Sequence, residues 1–225
     1  MLCNRLPCAK VIIFIEKTSV RRRIIWCLGR YCVSLHHTQN RNIYTEQKKV
    51  MKPIFIAGPC VIESEEILDA VASTLVDINR RLGIDIIFKA SFDKANRTSF
   101  SSYRGPGLER GMQMLGDIKD RYGLRITTDI HETYQAEAAA EVCDILQIPA
   151  FLCRQTDLLV AAAQTRRIVN IKKAQFLSGE DMRYPVEKVN KIYAARGVRQ
   201  ECWLTERGNC YGYNNLVVDF RNIPD

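Results

Sequence analysis

The sequence predicts an α/β domain over residues 51–225, in which the strands of a parallel sheet alternate with helices. Two observations carry the prediction. Six short, nearly continuous apolar runs are typical of strands in a sheet that is covered on both faces. Between them lie segments whose apolar residues recur at three- and four-residue spacing, the period of an amphipathic helix. This repeated order favours parallel strands joined by right-handed crossovers.

The first strand–helix unit has the clearest boundaries. Residues 54–57 form the first predicted strand. Ser64 is the predicted N-cap of the following helix and Gly83 stands where that helix should end, because these residue types are favoured at those positions. The further predicted strands cover residues 84–88, 124–128, 145–148, 168–171 and 202–205. The further predicted helices cover residues 108–122, 134–142, 157–164 and 186–195, and Gly123 follows the first of these.

The composition bounds the class of protein. Hydrophobic residues make up 47% of the 225 residues and charged residues 26%, which excludes a disordered tail, a collagen-like fibre and a coiled coil. The longest apolar run near the N-terminus covers only residues 11–15, whereas a membrane helix needs about 20. Nine scattered cysteines without a C-x-x-C pair favour reduced thiols in a cytoplasmic protein.

The positive charge is confined to the N-terminal segment. The net charge is +8, and residues 1–50 alone hold ten basic and two acidic residues, so the remainder is neutral. We therefore predict a basic extension at 1–50, a separate domain at 51–225, and no nucleic-acid or membrane partner for that domain.

Three interpretations of residues 1–50 stay open. The segment has the Arg-rich, acid-poor composition of a transit peptide. In the second interpretation the segment is a basic arm that contacts nucleic acid. In the third interpretation translation begins at Met51, and the preceding residues are not translated or are disordered. We favour the third, because Met51 and two further residues lead directly into the first predicted strand.

Polar side chains follow every predicted strand. In parallel α/β folds, ligands bind at the carboxyl ends of the strands. Cations follow at least four of these ends, and their convergence predicts a site for a phosphorylated anion. Asp129 and His131 share one face of a strand end, which suits contact with a substrate or a metal. The residues in question are Cys60, Lys89, Ser91, Asp93, Lys94, Asn96, Arg97, Asp129, His131, Glu132, Gln147, Pro149, Arg154, Gln155, Asp157, Lys172, Lys173, Glu206 and Arg207.

Other motifs are weak or missing. Gly105-Pro106-Gly107 lacks the spacing of a dinucleotide-binding loop and is better interpreted as a turn into the helix at 108–122. The sequence has no P-loop, no G-x-S-x-G elbow and no H-E-x-x-H motif.

The segments at these strand ends carry a specific series of motifs. They lie at residues 57–60, 88–99, 103–108, 128–132, 147–152, 154–157, 170–173 and 206–219. Together they closely resemble the 3-deoxy-8-phosphooctulonate synthase (KDO 8-phosphate synthase, 2-dehydro-3-deoxyphosphooctonate aldolase) family over residues 54–223. The sister family, which makes the first intermediate of the aromatic amino acids, has a shorter Lys-Pro-Arg-type loop where this chain has residues 94–97.

The resemblance implies a (β/α)8 barrel of the TIM type. It implies a transferase that condenses phosphoenolpyruvate with D-arabinose 5-phosphate and water. The products are 3-deoxy-D-manno-octulosonate 8-phosphate and phosphate, in KDO and lipopolysaccharide biosynthesis. The partners implied are small phosphorylated substrates, and the assembly implied is a homotetramer.

The resemblance also assigns roles to residues. The implied catalytic residues are Lys89, Lys94, Asp129 and His131. The implied phosphoenolpyruvate-binding residues are Lys89, Lys94, Gln147, Ala150, Lys172 and Arg207. The implied arabinose 5-phosphate-binding residues are Asn96, Arg97, Thr98 and Ser99. Cys60 resembles the metal ligand of the members that use a divalent metal, whose other ligands are a His, a Glu and an Asp from beyond the sixth strand.

The chain ends at Asp225, before the segment in which the resemblance places those other ligands. We therefore expect a C-terminally truncated barrel with about six of eight βα units, exposed sheet edges, doubtful metal binding and little or no activity. Two alternatives stay open. One is 3-deoxy-7-phosphoheptulonate synthase activity on erythrose 4-phosphate, and the other is a non-catalytic remnant.

Overall fold

The computed structural model describes residues 54–219 and 222, and the backbone of residues 9–15 and 24–26. Most of the predicted extension at residues 1–50 lies outside these described residues, so its boundary with the following domain stays a prediction. None of the described helices combines the length and the hydropathy of a membrane span.

The described elements alternate as the sequence predicts. The strands are β1 (Ala9–Ile15), β2 (Ile24–Trp26), β3 (Ile54–Pro59), β4 (Asp85–Lys89), β5 (Arg125–Asp129), β6 (Ile145–Ile148), β7 (Ile168–Lys172) and β8 (Cys202–Glu206). The helices are α1 (Glu65–Leu82), α2 (Leu108–Tyr122), α3 (Gln135–Val142), α4 (Thr156–Gln164) and α5 (Arg183–Ala195). Short 3-10 turns at Ala150–Leu152 and Glu180–Met182 precede α4 and α5.

Strands β3 to β8 lie side by side in chain order, and every neighbouring pair among them is parallel. Five helices connect the six strands. This arrangement confirms the prediction of an α/β fold with about six of the eight units of a (β/α)8 barrel. It brings the carboxyl ends of all six strands to one end of the sheet, where the predicted site residues are.

The two outer edges of this six-stranded sheet are paired. Strand β1 is antiparallel to β3, β2 is parallel to β8, and β1 and β2 pair with each other. The strand order is therefore closed. The expectation of exposed edges was wrong, because the two N-terminal strands supply the backbone hydrogen-bond partners that an edge otherwise lacks.

Side chains alternate between the two faces of the sheet. Phe88, Ile126 and Leu146 belong to one buried cluster together with Leu115 of α2 and Leu159 of α4, so these positions face the helices. The intervening positions point into the barrel. Several of them are large apolar residues that are buried outside that cluster, namely Ile56, Ile87, Ile145 and Trp203.

The helix ends follow the predicted signals closely. Ser64 Oγ accepts a hydrogen bond from the Ile67 backbone N at 3.3 Å, as an N-cap does. Gly83 ends α1 in the left-handed region with φ 63°. Helix α5 begins at Arg183, three residues before the predicted start, because the 3-10 turn continues into it and Pro185 is tolerated in a first turn.

Candidate active site

Three lysines surround one buried carboxylate at the carboxyl end of the sheet. Lys89 ends β4, Lys172 ends β7, and Lys94 lies in the loop after β4, while Asp129 ends β5. Asp129 Oδ2 lies 2.5 Å from Lys89 Nζ and 3.7 Å from Lys94 Nζ, and Oδ1 lies 3.5 Å from Lys172 Nζ. We call these four residues the lysine cluster. One carboxylate faces three ammonium groups, so the cluster has positive charge to offer an anion.

Ser91 fixes the geometry of the lysine cluster. Its hydroxyl donates to Asp129 Oδ2 at 2.5 Å and accepts from Lys89 Nζ at 3.0 Å and from Lys94 Nζ at 2.8 Å. The resemblance assigned Ser91 no role. The sequence indicated a role for Ser91 only by its place among the polar residues that follow the second predicted strand, two positions after Lys89.

The cluster shifts the pKa values of its members. The pKa of Lys89 is lowered to about 7, mainly because the ammonium group is buried; Asp129 opposes the shift, and Lys94 and Lys172 add to it. For Asp129, burial favours the neutral form, but Lys172, Lys89 and Lys94 together hold its pKa well below the ordinary value. Lys89 therefore titrates near neutral pH while Asp129 stays ionised.

His131 lies beside the cluster in the loop after β5. It is half-buried, and its ring meets Phe92 edge-on with centroids 6.1 Å apart. Burial lowers the pKa of its imidazole, so the neutral form is favoured at neutral pH. Its backbone N donates to Gln135 Oε1 at 2.7 Å, which holds this loop in place.

Further predicted residues lie at the same end of the sheet. Gln147 is fully buried and pairs in register with Asp129, and its amide atoms have no hydrogen-bond partner among the described residues. Ala150 begins the 3-10 turn after β6. Arg207 directly follows β8 and is half-buried.

The predicted pentose-phosphate residues lie in the exposed part of the loop after β4, which also carries Lys94. Arg97 Nε donates to the Tyr103 carbonyl at 3.2 Å, and Ser99 and Ser101 share a hydrogen bond at 3.0 Å. Asn96 and Thr98 are exposed beside them. An open depression of about 550 Å³ lies here, lined by Val61, Glu63, Arg97, Ser102 and Tyr103. The loop after β4 thus contributes Lys94 to the lysine cluster and exposes residues 96–99 to solvent.

Cys60 follows β3 and is half-buried. Within residues 54–219, no group of three or more His, Cys, Asp or Glu side chains is placed to hold a metal ion. The described residues therefore do not fit a metal centre by themselves, and Cys60 stays a predicted ligand without described co-ligands.

Comparison with known proteins places the chain in a family. The model of the DAHP synthetase I family matches residues 37–225. The chain belongs to the DAHP synthetase I family.

Curated relatives within this family share more than half of the aligned residues. A 2-dehydro-3-deoxyphosphooctonate aldolase of Helicobacter pylori (strain P12) is 54% identical over 187 residues, which cover 80% of this chain and 68% of the relative. Proteins of the same name from Wolinella succinogenes and Helicobacter hepaticus are 57% and 55% identical over 176 residues, with 67% and 65% of the relatives covered. The chain thus spans about two thirds of the length of these relatives. The resemblance that the motifs indicated is confirmed.

One lysine of this DAHP synthetase I family member holds two loops together and does not belong to the lysine cluster. Lys173 directly follows Lys172 in sequence but is almost fully buried. Its Nζ donates to Asn209 Oδ1 at 2.6 Å and to the Leu177 carbonyl at 3.0 Å, and it lies 3.4 Å from Glu206 Oε1. It therefore joins the loops that follow β7 and β8. Lys173 therefore does not join Lys172 in the lysine cluster, because adjacent residues at a strand end point in opposite directions.

We expect Lys173→Met to lower the free energy of unfolding by about 3–5 kcal/mol, because the buried Glu206 would lose its counter-charge. Urea unfolding at pH 7 measures the change. Arg183→Met is the matched control: Arg183 pairs with Glu180 on the surface, so its loss should cost about 1 kcal/mol or less. Equal unfolding midpoints for the two variants would contradict the structural role of Lys173.

Proposed function

We propose that this chain has 3-deoxy-8-phosphooctulonate synthase activity. The reaction condenses phosphoenolpyruvate with D-arabinose 5-phosphate and water, and releases phosphate, in KDO and lipopolysaccharide biosynthesis. The names of the curated relatives support the proposal. The observation that carries it is the lysine cluster, in which three ammonium groups from separate chain segments meet around one buried carboxylate.

Phosphoenolpyruvate fits the lysine cluster by its charge. It carries a carboxylate and a phosphate on neighbouring atoms, so it needs several cations held close together. In our proposal Lys89, Lys94 and Lys172 bind these two groups, since an ammonium group acts on phosphate as a compact point charge. Gln147, the Ala150 backbone and Arg207 would complete the contacts. Because Ser91 and Asp129 already fix the lysines, binding would need little reorganisation.

The proposed reaction joins two carbon atoms. Carbon 3 of the enol attacks the aldehyde carbon of the pentose, and water adds at carbon 2, after which the phosphate leaves. Charge changes beside groups that are already anionic, so fixed cations lower the barrier. Asp129 and His131 would lie near the reacting carbons, where the neutral imidazole can accept or return a proton.

Arabinose 5-phosphate would bind in the exposed loop after β4. In our proposal Asn96, Arg97, Thr98 and Ser99 hold its phosphate. The open depression lined by Arg97 supports this placement, because Val61, which also lines it, forms a β-bridge with Ser91 beside the lysine cluster. Two anions held in neighbouring regions face each other in a fixed orientation, which is itself a large part of catalysis.

We also propose three properties that the family resemblance implies. Cys60 would be a metal ligand whose co-ligands lie outside the described residues. The chain would work in the cytoplasm, in keeping with its scattered cysteines. It would assemble as a homotetramer, which light scattering after size-exclusion chromatography tests. Large exposed side chains around the carboxyl end of the sheet support association; examples are Phe100, Tyr134, Phe151, Phe176 and Tyr213.

Phosphate release tests the activity. The 225-residue chain is incubated with phosphoenolpyruvate and arabinose 5-phosphate, and then with erythrose 4-phosphate in place of the pentose. Release that depends on the pentose phosphate supports the proposal. Faster release with erythrose 4-phosphate supports the sister activity instead, which the longer loop around Asn96 disfavours. Ligand binding is measured separately: a non-catalytic remnant that has lost the site would gain no thermal stability from phosphoenolpyruvate.

Phosphoenolpyruvate binding at pH 8 should take up a proton. Burial holds the pKa of Lys89 at about 7, so the free protein has largely lost that proton at pH 8. An anion beside Lys89 raises its pKa again, and affinity should therefore fall as the pH rises above 7. Calorimetry at pH 8 in two buffers of different ionisation enthalpy measures the uptake. In the control variant Lys89→Arg the cation does not titrate, so the uptake should vanish, and equal uptake in both proteins would contradict the prediction.

A further inference from the structure

Polar side chains line part of the barrel interior beside Asp129 of the lysine cluster. Barrels of this type are normally filled by branched apolar side chains. Here the inward positions of three consecutive strands carry Thr127 of β5, Gln147 of β6 and Asn170 of β7, all completely buried. Thr205 of β8 is a fourth, and its hydroxyl donates to Asn170 Oδ1 at 2.9 Å.

Many of these buried polar atoms have no hydrogen-bond partner among the described residues. The atoms are Thr127 Oγ1, Asp129 Oδ1, Gln147 Nε2, Gln147 Oε1 and Asn170 Nδ2. Asp129 Oδ1 does lie 3.5 Å from Lys172 Nζ, which is an ion pair without hydrogen-bond geometry. Buried polar side chains are nearly always satisfied by protein or by ordered water.

The strand register places these atoms around one volume. Asp129 pairs with Gln147, and Gln147 pairs with Asn170. Paired residues on parallel strands point to the same face, and the strands lie about 4.8 Å apart. Thr127 lies two residues before Asp129, on the same inward face. The five atoms therefore line the same part of the interior.

We propose that the barrel contains a buried water site, lined by Thr127, Asp129, Gln147 and Asn170. An internal water makes about three hydrogen bonds to polar groups that would otherwise stay unpaired, and this wall offers both donors and acceptors. Through Asp129 and Gln147 the water site contacts the floor of the lysine cluster and orients the Gln147 amide. The water site does not depend on which anion the cluster binds.

Two neighbouring threonines give a matched test. Thr127→Val and Thr128→Val each replace a buried hydroxyl that has no described partner by a methyl group. Thr127 points into the barrel, whereas Thr128 lies on the face of Ile126, which packs against the helices. If water occupies the proposed site, Thr127→Val removes one of its hydrogen bonds, and the Tm of this variant should be about 2–4 °C below that of the wild type. Thr128 pairs in register with Leu146 on the helix-facing side, where a water would find too few polar partners, so Tm of Thr128→Val should stay or rise.

Nuclear Overhauser measurements between water and the side-chain amide hydrogens decide the matter directly. We expect cross-peaks of a long-lived water with the Asn170 and Gln147 amides in the wild-type protein. Thr127→Val should weaken them, and Thr128→Val should leave them unchanged. A wild-type spectrum without these cross-peaks, or a Tm that rises equally in both variants, would overturn the proposal and show a dry interior.

Discussion

Asp129→Asn should lower the free energy of unfolding by about 3–5 kcal/mol at pH 6, because it leaves buried ammonium groups without their counter-charge. The pKa of Lys89 is already lowered to about 7. Without Asp129 it should fall further, so at pH 9 Lys89 is neutral and the loss should be smaller. Urea unfolding of the variant and the wild type at both pH values measures the difference.

The pH dependence of the wild type follows from the same two groups. Asp129 has a lowered pKa in the folded protein, so its stabilisation is present above pH 3.8 and is lost as the pH falls through the folded value. Lys89 also has a lowered pKa, so the unfolded state binds more protons between about pH 7 and 10.5. The Lys89 contribution to stability therefore improves as the pH rises through that window.

The control for Asp129→Asn is Asp77→Asn. Asp77 forms an exposed pair with Arg81 on α1, so its neutralisation should change the free energy of unfolding by about 0.5 kcal/mol or less. If Asp129→Asn were no more costly than this control, or equally costly at pH 6 and pH 9, the carboxylate would not hold the cluster together.

Gly58→Ala should damage both stability and ligand binding. A Cβ at Gly58 would lie 2.2 Å from the backbone O of Lys89, so β3 and β4 would have to move apart at the residue whose side chain belongs to the lysine cluster. The backbone φ of 157° is a second, smaller obstacle. We expect a loss of about 1–3 kcal/mol from overpacking, and a loss of phosphoenolpyruvate affinity of about tenfold or more, equivalent to one lost contact with a charged group.

Gly83→Ala provides the comparison for this variant. Gly83 also has a positive φ, 63°, but an added Cβ would meet nothing within 4 Å. The change should cost about 1 kcal/mol of backbone strain and leave the affinity for phosphoenolpyruvate unchanged. Similar affinity losses in both variants would show that the close approach of Gly58 to Lys89 does not position the cluster.

The fold was predictable where local signals and burial agree. Helix α2 has the predicted bounds because an apolar stripe and Gly123 both mark its end. The closure of the sheet by β1 and β2 was not predictable, since residues 1–50 show no clear strand or helix period. Pairing at a distant edge depends on tertiary geometry that local patterns do not encode.

The candidate site was predictable in its members but not in its contacts. Both the family resemblance and the location directly after a predicted strand indicated Lys89, Asp129 and Lys172 as site residues. They did not show that Ser91 links the cluster, because one serine in a polar loop carries no distinguishing pattern. They also did not separate Lys172 from Lys173, since only the rotation of the backbone at the end of β7 decides which lysine faces the site.

A crystal structure of the chain with phosphoenolpyruvate tests most directly whether the lysine cluster binds this substrate. We predict carboxylate or phosphate oxygens at about 2.7–2.9 Å from the ammonium groups of Lys89, Lys94 and Lys172, the distance of charge-assisted hydrogen bonds. Phosphoenolpyruvate bound elsewhere on the molecule, or these three ammonium groups turned away from one another around Asp129, would contradict it.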